Sequence, residues 1–239
     1  MKKSLIIAAL LLSAGLAQAQ PVTASKPSLQ VVTAQVSLVM EKVSALQAEW
    51  ARIKYKVSGS DAQQKAFERL EADAAEVVRK FPGMAEPLIW QAIILSTEAG
   101  ITGGISALPK VKQAKKLLEA SLKIDATALD GSASTSLGSL YYQVPGWPIG
   151  FGDDKKAEQY LKAALRMNPE GIDPNFFYGD YLVQQKKYSD AVPVLEKALK
   201  APDRPGREVA DEGRRAEIRA LLETARGKSG TTEAKSQFN

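Results

Sequence analysis

Two stretches decide the fold. Ala157-Glu158-Gln159-Tyr160-Leu161-Lys162-Ala163-Ala164-Leu165 precedes Asn168-Pro169, and Ala191-Val192-Pro193-Val194-Leu195-Glu196-Lys197-Ala198-Leu199 precedes Ala201-Pro202. Alanine and leucine recur in the second stretch 34 residues after the first. Within each stretch the alanines are seven apart, so they share one helical face. Small residues on such a face let a second helix approach closely, and a fixed period means that one supersecondary unit is repeated.

Working outward, each stretch is the second helix of a helical pair. The last pair has a first helix from about Asp173 to Gln185 with Gly179 at the small crossing position, a turn at Lys186-Lys187, and a second helix from Tyr188 to Lys200. In the middle pair Gly138 takes the place of Gly179, and the second helix runs from Ala157 to Met167. The first pair has Ala92 among Trp90, Ile93 and Ile94, then Ala114, Leu118, Ser121 and Leu122, with Pro82-Gly83 before it. Three copies with this period and pattern are the signature of the tetratricopeptide repeat, or TPR. The expected fold is all-α: a right-handed TPR-type solenoid with repeats at about 85–125, 130–169 and 171–202.

The spacing also locates two insertions. Gly179 precedes Ala191 by 12 residues, but Gly138 precedes Ala157 by 19 and Ala92 precedes Ala114 by 22. The additional residues are Gly100-Ile101-Thr102-Gly103-Gly104-Ile105-Ser106-Ala107-Leu108 and Val144-Pro145-Gly146-Trp147-Pro148-Ile149-Gly150-Phe151-Gly152. Turns between paired helices leave a stacked array along one edge, so the two loops should be neighbours. Such loops carry function disproportionately. Trp147 and Phe151 either present their rings to a ligand or partner or fold back to seal the loop. Asp153-Asp154 reads better as the cap and first turn of the following helix than as a catalytic carboxylate pair.

The segment from Gly131 to Leu165, with Gly138-Ser139-Leu140-Tyr141-Tyr142 and Val144 to Asp153, resembles the TPR-containing T component of TRAP transporters. Gly103-Gly104-Ile105-Ser106-Ala107-Leu108 and Gly171-Ile172-Asp173-Pro174-Asn175-Phe176 are similar to that family too. The likeness covers about Phe81 to Glu217. It implies a periplasmic helical-repeat protein that associates with a solute-binding protein and contains a pore or groove for a small hydrophobic ligand. Family members can be lipoproteins; this cysteine-free chain lacks the anchoring residue.

The flanks differ from the repeats. Leu29, Val32, Val36, Val39, Val43, Leu46, Trp50, Ile53 and Val57 alternate at three and four residues, a seam through which copies of the chain could zip into a homo-oligomer. The bulk of Trp50 and the breadth added by Leu38, Met40 and Ala45 favour instead a hairpin with a helix from Asp61 to Lys80, capped by Ser60-Asp61. The hairpin spans 28–81. At the other end, 207–226 reads as a charged capping helix with Val209, Ile218, Leu221 and Leu222 inward, and 227–239 as a disordered tail. The region 28–226 is one domain.

Lys2-Lys3, the apolar run Leu5 to Leu16 and Ala17-Gln18-Ala19 form a secretory signal with cleavage after Ala19, followed by a flexible leader at 20–27. The apolar run is shorter than the roughly 20 residues of a spanning helix. The expected location is the periplasm, with no integral membrane segment in the mature chain. Loss of Lys2 and Lys3 lowers the formal charge from +5 to +3, too mild to point to nucleic acid.

The 239 residues include no cysteine and no histidine, which excludes disulfides, thiolate chemistry, imidazole catalysis and Cys- or His-ligated metal. No phosphate-loop, dinucleotide or nucleophile-elbow pattern occurs. The expectation is a non-enzymatic protein without cofactor or metal: an interaction scaffold, with self-assembly or carriage of a small hydrophobic ligand as alternatives. A clamp for a peptide carboxylate needs cations on the inner face of each first helix. Glu86, Ile89, Ile93 and Ser96, then Ser132, Thr135, Ser139 and Tyr142, then Asp173, Phe176, Asp180 and Val183 supply none. An apolar or aromatic contact suits these faces better. The expected contact residues are Gly103, Gly104, Tyr141, Tyr142, Pro145, Trp147, Phe151 and Phe176.

Overall fold

The computed structural model describes residues 29–236, with side chains from 33 to 229. The expected signal and leader lie outside the described residues. The fold is an all-α helical-repeat solenoid, with nine α-helices among the described residues.

The first two helices, α1 (Leu29–Lys56) and α2 (Ser60–Lys80), form the hairpin. The repeats follow as α3 (Ala85–Thr102) with α4 (Leu108–Ile124), α5 (Ala128–Gln143) with α6 (Asp154–Met167), and α7 (Ile172–Gln184) with α8 (Tyr188–Leu199). The final helix is α9 (Glu208–Ser236).

The small residues work as their spacing predicts. A Cβ on Gly138 would lie 2.6 Å from Cγ of Leu161, and one on Gly179 would lie 2.6 Å from Cγ of Leu195. Each first helix thus makes room for a leucine of its partner. Leu118, Leu161 and Leu195 are fully buried, as are Ala114, Ala157, Ala164, Ala191 and Ala198. Burying such a leucine stabilises the fold by about 1.5–3 kcal/mol. The first pair adds a polar tie, since the fully buried Glu98 of α3 pairs with Lys110 of α4.

The middle repeat opens irregularly. Leu129, Asp130 and Gly131 all have positive φ, at 50°, 55° and 78°. This left-handed turn delays the regular helix to Ser132, and the two non-glycine residues in it each cost about 1–2 kcal/mol. Asp125 supports the turn by accepting the Thr127 backbone N–H at 2.8 Å and its hydroxyl at 2.7 Å.

The hairpin uses the heptad seam internally. Val39, Val43, Leu46, Trp50 and Ile53 are buried with Phe67, Leu70 and Ala74 of α2 and Trp90 and Ile94 of α3. Val36 remains 43% exposed. The residue preceding α2 is Gly59, with no side-chain cap, so Ser60-Asp61 lies inside the helix rather than capping it. At α6 the expected cap is present: the Asp153 carboxylate accepts the backbone N–H groups of Lys155 and Lys156, both at 3.1 Å.

The C-terminal helix departs most from expectation. It continues through Gly227 to Ser236, where a tail was expected. Ile218, Leu222 and Ala225 join the repeat core, but Val209 is exposed and Ala210 is buried in its place, within the core of the hairpin. So α9 does more than cover α8: it crosses to α1 and α7 and brings the two ends of the solenoid together. Gly213 permits this, since a Cβ there would lie 2.4 Å from the Tyr55 ring. Lys54 and Lys56 of α1 pair with Glu217 and Glu212 of α9 at 2.9 and 3.1 Å.

Candidate functional site

Closure of the solenoid turns its concave face into a cavity of 1170 Å³. The walls come from α1, α3, α5, α7 and α9, including residues near both ends of the described chain. Trp50, Trp90, Ile93, Leu108, Phe176 and Phe177 supply apolar surface, and Ser132, Ser136 and Ser139 present hydroxyl-bearing side chains from α5. The left-handed turn at Leu129 and Asp130 also borders the cavity, which places backbone strain at a candidate site.

Both insertions border this cavity, through Gly103, Gly104 and Ile105 in one and Val144, Pro145 and Ile149 in the other. They are neighbours, as the repeat geometry predicts. The second loop is braced from within. Gly152 N–H donates to the Pro145 carbonyl at 3.0 Å, Gly150 N–H to Gly146 at 3.0 Å, and Asp153 N–H to Tyr141 at 2.8 Å. A Cβ on Gly152 would fall 2.0 Å from the Val144 carbonyl oxygen, so glycine is required for the loop to close on itself.

The expected contact residues separate into three groups. Gly103, Gly104, Pro145 and Phe176 line the cavity. Trp147 is 90% exposed on the outside, with Ile105 at 78% and Ile149 at 55% on the same pair of loops. Tyr141, Tyr142 and Phe151 have structural positions instead. Phe151 meets Tyr141 edge-on at 5.7 Å, and Tyr141 stacks on Tyr160 at 5.6 Å, so the loop is sealed by one of its rings while presenting the other. The two placements open for Trp147 and Phe151 are therefore both used, one by each residue.

Tyr142 is buried and donates its hydroxyl to the Asp180 carboxylate at 2.7 Å. Burial pushes the Tyr142 hydroxyl well above its ordinary value, and the Asp180 charge adds to this. Burial likewise raises the Asp180 carboxyl, against the lowering effect of the hydrogen bond from Tyr142.

The inner faces of the first helices carry no cation, yet the cavity has four: Lys54 from α1, Arg204 and Arg207 from the segment before α9, and Arg214 from α9. These cations lie outside the faces on which the sequence argument was made. Arg214 is buried, with its guanidinium 4.3 Å from the Phe176 ring centroid and 4.9 Å from that of Phe177. Asp173, on the first turn of α7, receives Arg204 at 2.7 Å and Arg214 at 2.9 Å. Burial alone would raise the Asp173 carboxyl, but Arg214 and Arg204 outweigh it and hold the group well below the usual carboxylate range. Burial together with Arg214 lowers the Lys54 ammonium, partly offset by Glu217.

The fold and site define a helical-repeat protein whose terminal helix closes its concave face, equipped with aromatic, hydroxyl and cationic groups suited to binding. No family model matches the chain. No curated protein matches it either. Among solved structures, the crystal structure of yeast Tom70 is similar, with 14% sequence identity and a TM-score of 0.46. The likeness covers 86% of this chain and 45% of the Tom70 chain, so this chain spans less than half the length of that protein. No described helix is long and apolar enough to cross a membrane.

Proposed function

We propose that this chain is an exported helical-repeat adaptor that binds a second protein through the Trp147 loop. The observation that carries the reading is the 90% exposure of Trp147 on a loop whose backbone is braced and whose other ring is packed away. A tryptophan left in water on a rigid support loses little conformational freedom on binding and offers a large contact area. Ile105 and Ile149 extend the apolar surface to both loops. The pattern of basic residues, apolar run and small residues at the start of the chain supports periplasmic delivery.

The glycine-rich motifs support a finer identity for the partner, a periplasmic solute-binding protein of a TRAP-type transporter, with this chain as the accessory. Self-assembly through α1 is less favoured because Val39 to Ile53 of the seam already pack within the chain. The test is capture from periplasmic extract with wild type and with Trp147→Ala/Ile149→Ser, the retained proteins being identified by mass. The expected result is a solute-binding protein held by the wild type and at least tenfold depleted with the variant, at unchanged melting temperature. Equal recovery overturns the loop as the contact. Loop-dependent recovery of a different class of protein overturns the transporter identity while leaving the adaptor reading intact.

A further inference from the structure

The closure contains a charge that the fold leaves unanswered. Lys54, Arg204 and Arg214 are matched by Asp173, Asp211 and Glu217, and every carboxylate oxygen is used. Asp173 Oδ1 accepts from Arg214 and Oδ2 from Arg204. Asp211 Oδ1 accepts from the Arg204 guanidinium and Oδ2 from its backbone N–H. Glu217 Oε1 pairs with Lys54 and Oε2 accepts from Arg214.

Arg207 lies in the same wall and has no such partner. Its Nε is shielded from solvent without a hydrogen bond, and its guanidinium rests 5.1 Å over the Trp90 ring. Burial lowers its basicity, and the neighbouring Arg204 lowers it further. A desolvated guanidinium donor without an acceptor is costly, and a buried group left in that state calls for a missing partner. Asp173 and Asp211 attract it through space, but their oxygens are already occupied.

We infer that the cavity binds a small organic monocarboxylate with an apolar body, its carboxylate held by Arg207 and its body lying against Trp90, Ile93 and Phe177. One unmatched cation calls for one negative charge. The guanidinium fork suits a carboxylate, which can accept two parallel hydrogen bonds. The volume of 1170 Å³ slightly exceeds the range of about 300–1,000 Å³ usual for small-molecule sites. Helices from both ends of the solenoid enclose it, which suits a small ligand rather than a folded domain. The inference does not depend on the Trp147 loop, which lies outside the cavity.

The test uses the full chain carrying Trp147→Phe, so that emission comes from Trp50 and Trp90, both in the cavity wall. Decanoate and 4-phenylbutyrate are titrated beside the uncharged 1-decanol and 4-phenylbutanol. At least one acid is expected to bind about tenfold more tightly than its alcohol. Arg207→Gln is expected to abolish that preference while leaving the alcohol unchanged. Ser136→Phe, which fills the cavity from α5, is expected to weaken acid and alcohol alike. Should the glutamine variant not fold, Arg207→Lys decides: it keeps the charge but loses the fork, so the acid should weaken severalfold with the alcohol unaffected. Absence of acid binding up to millimolar concentration, equal binding of acid and alcohol, or an unchanged preference in the Arg207 variant that folds overturns the inference.

Discussion

The repeat stack and the closure hold together in different ways. From α3 to α8, helices meet through small residues and leucines, so the contacts are apolar, local in sequence and repeated with a fixed period. Between α1, α7 and α9 the contacts are Lys54, Arg204, Arg214, Asp173, Asp211 and Glu217, some more than 150 residues apart, with a guanidinium lying over two phenylalanine rings. An apolar stack tolerates modest change if volume is kept. A network of partly buried charges depends on every partner, because removing one leaves another unanswered. Stability is therefore expected to be distributed through the stack, and shape at the cavity to be concentrated in the closure.

The largest expected effect tests the stack. Leu161→Ala opens a void against Gly138 and should cost about 3–5 kcal/mol in denaturant unfolding. A cost below about 1 kcal/mol would show that the crossing is not the packed contact described.

The next effect tests the closure, through two aspartates two turns apart on α7. Asp173→Asn removes a charge facing two arginines and should cost about 2–3 kcal/mol, less than the 3–5 kcal/mol of a fully buried pair because 28% of its side chain remains exposed. Asp180→Asn should be neutral or slightly stabilising, since the amide oxygen can still accept from Tyr142 and a charge raised by burial is removed. Equal costs at the two positions would erase the distinction drawn from their surroundings.

A pH series sharpens the same contrast. Asp173 has a depressed carboxyl in the fold, so its contribution is full above the unfolded carboxylate value of about 4 and is lost as pH falls below it. Asp180 is raised and acts in the opposite sense, its stabilising contribution present at low pH and lost as pH rises through its folded value. Thermal melting between pH 6 and 3 should therefore fall more steeply in wild type than in Asp173→Asn. Parallel curves would remove the closure from the acid response. The smallest stability effect is at the loop: Trp147→Ala should shift unfolding by less than about 0.5 kcal/mol, since its ring touches water. A larger loss would mean that the ring has a structural contact.

Legibility follows the same division. The helical pairs, their boundaries to within a few residues, the neighbouring loops and the Asp153 cap could all be read from spacing, because close helix packing imposes its period on the sequence. The loop aromatics could not be assigned from residue type, since Trp147 and Phe151 have the same apolar character and differ only in what the bent backbone brings near them. The four cations of the cavity were missed because the search followed the first helices of the repeats. The run Arg204 to Arg214 looked like the solvated face of a cap; Gly213, opposite Tyr55, is the one local sign that this helix meets α1.

The sequence by itself determined an all-α repeat protein, the register of its stacked pairs and the two interruptions in its period, since each depends on neighbours within about 34 residues. Only the tertiary structure decided that the solenoid closes, that Asp173 meets Arg204 and Arg214, and that Arg207 is left facing Trp90 without an acceptor. The physical reason is that apolar packing repeats and therefore leaves a period to read. Charge matching across the closure happens once, between segments whose separation carries no period.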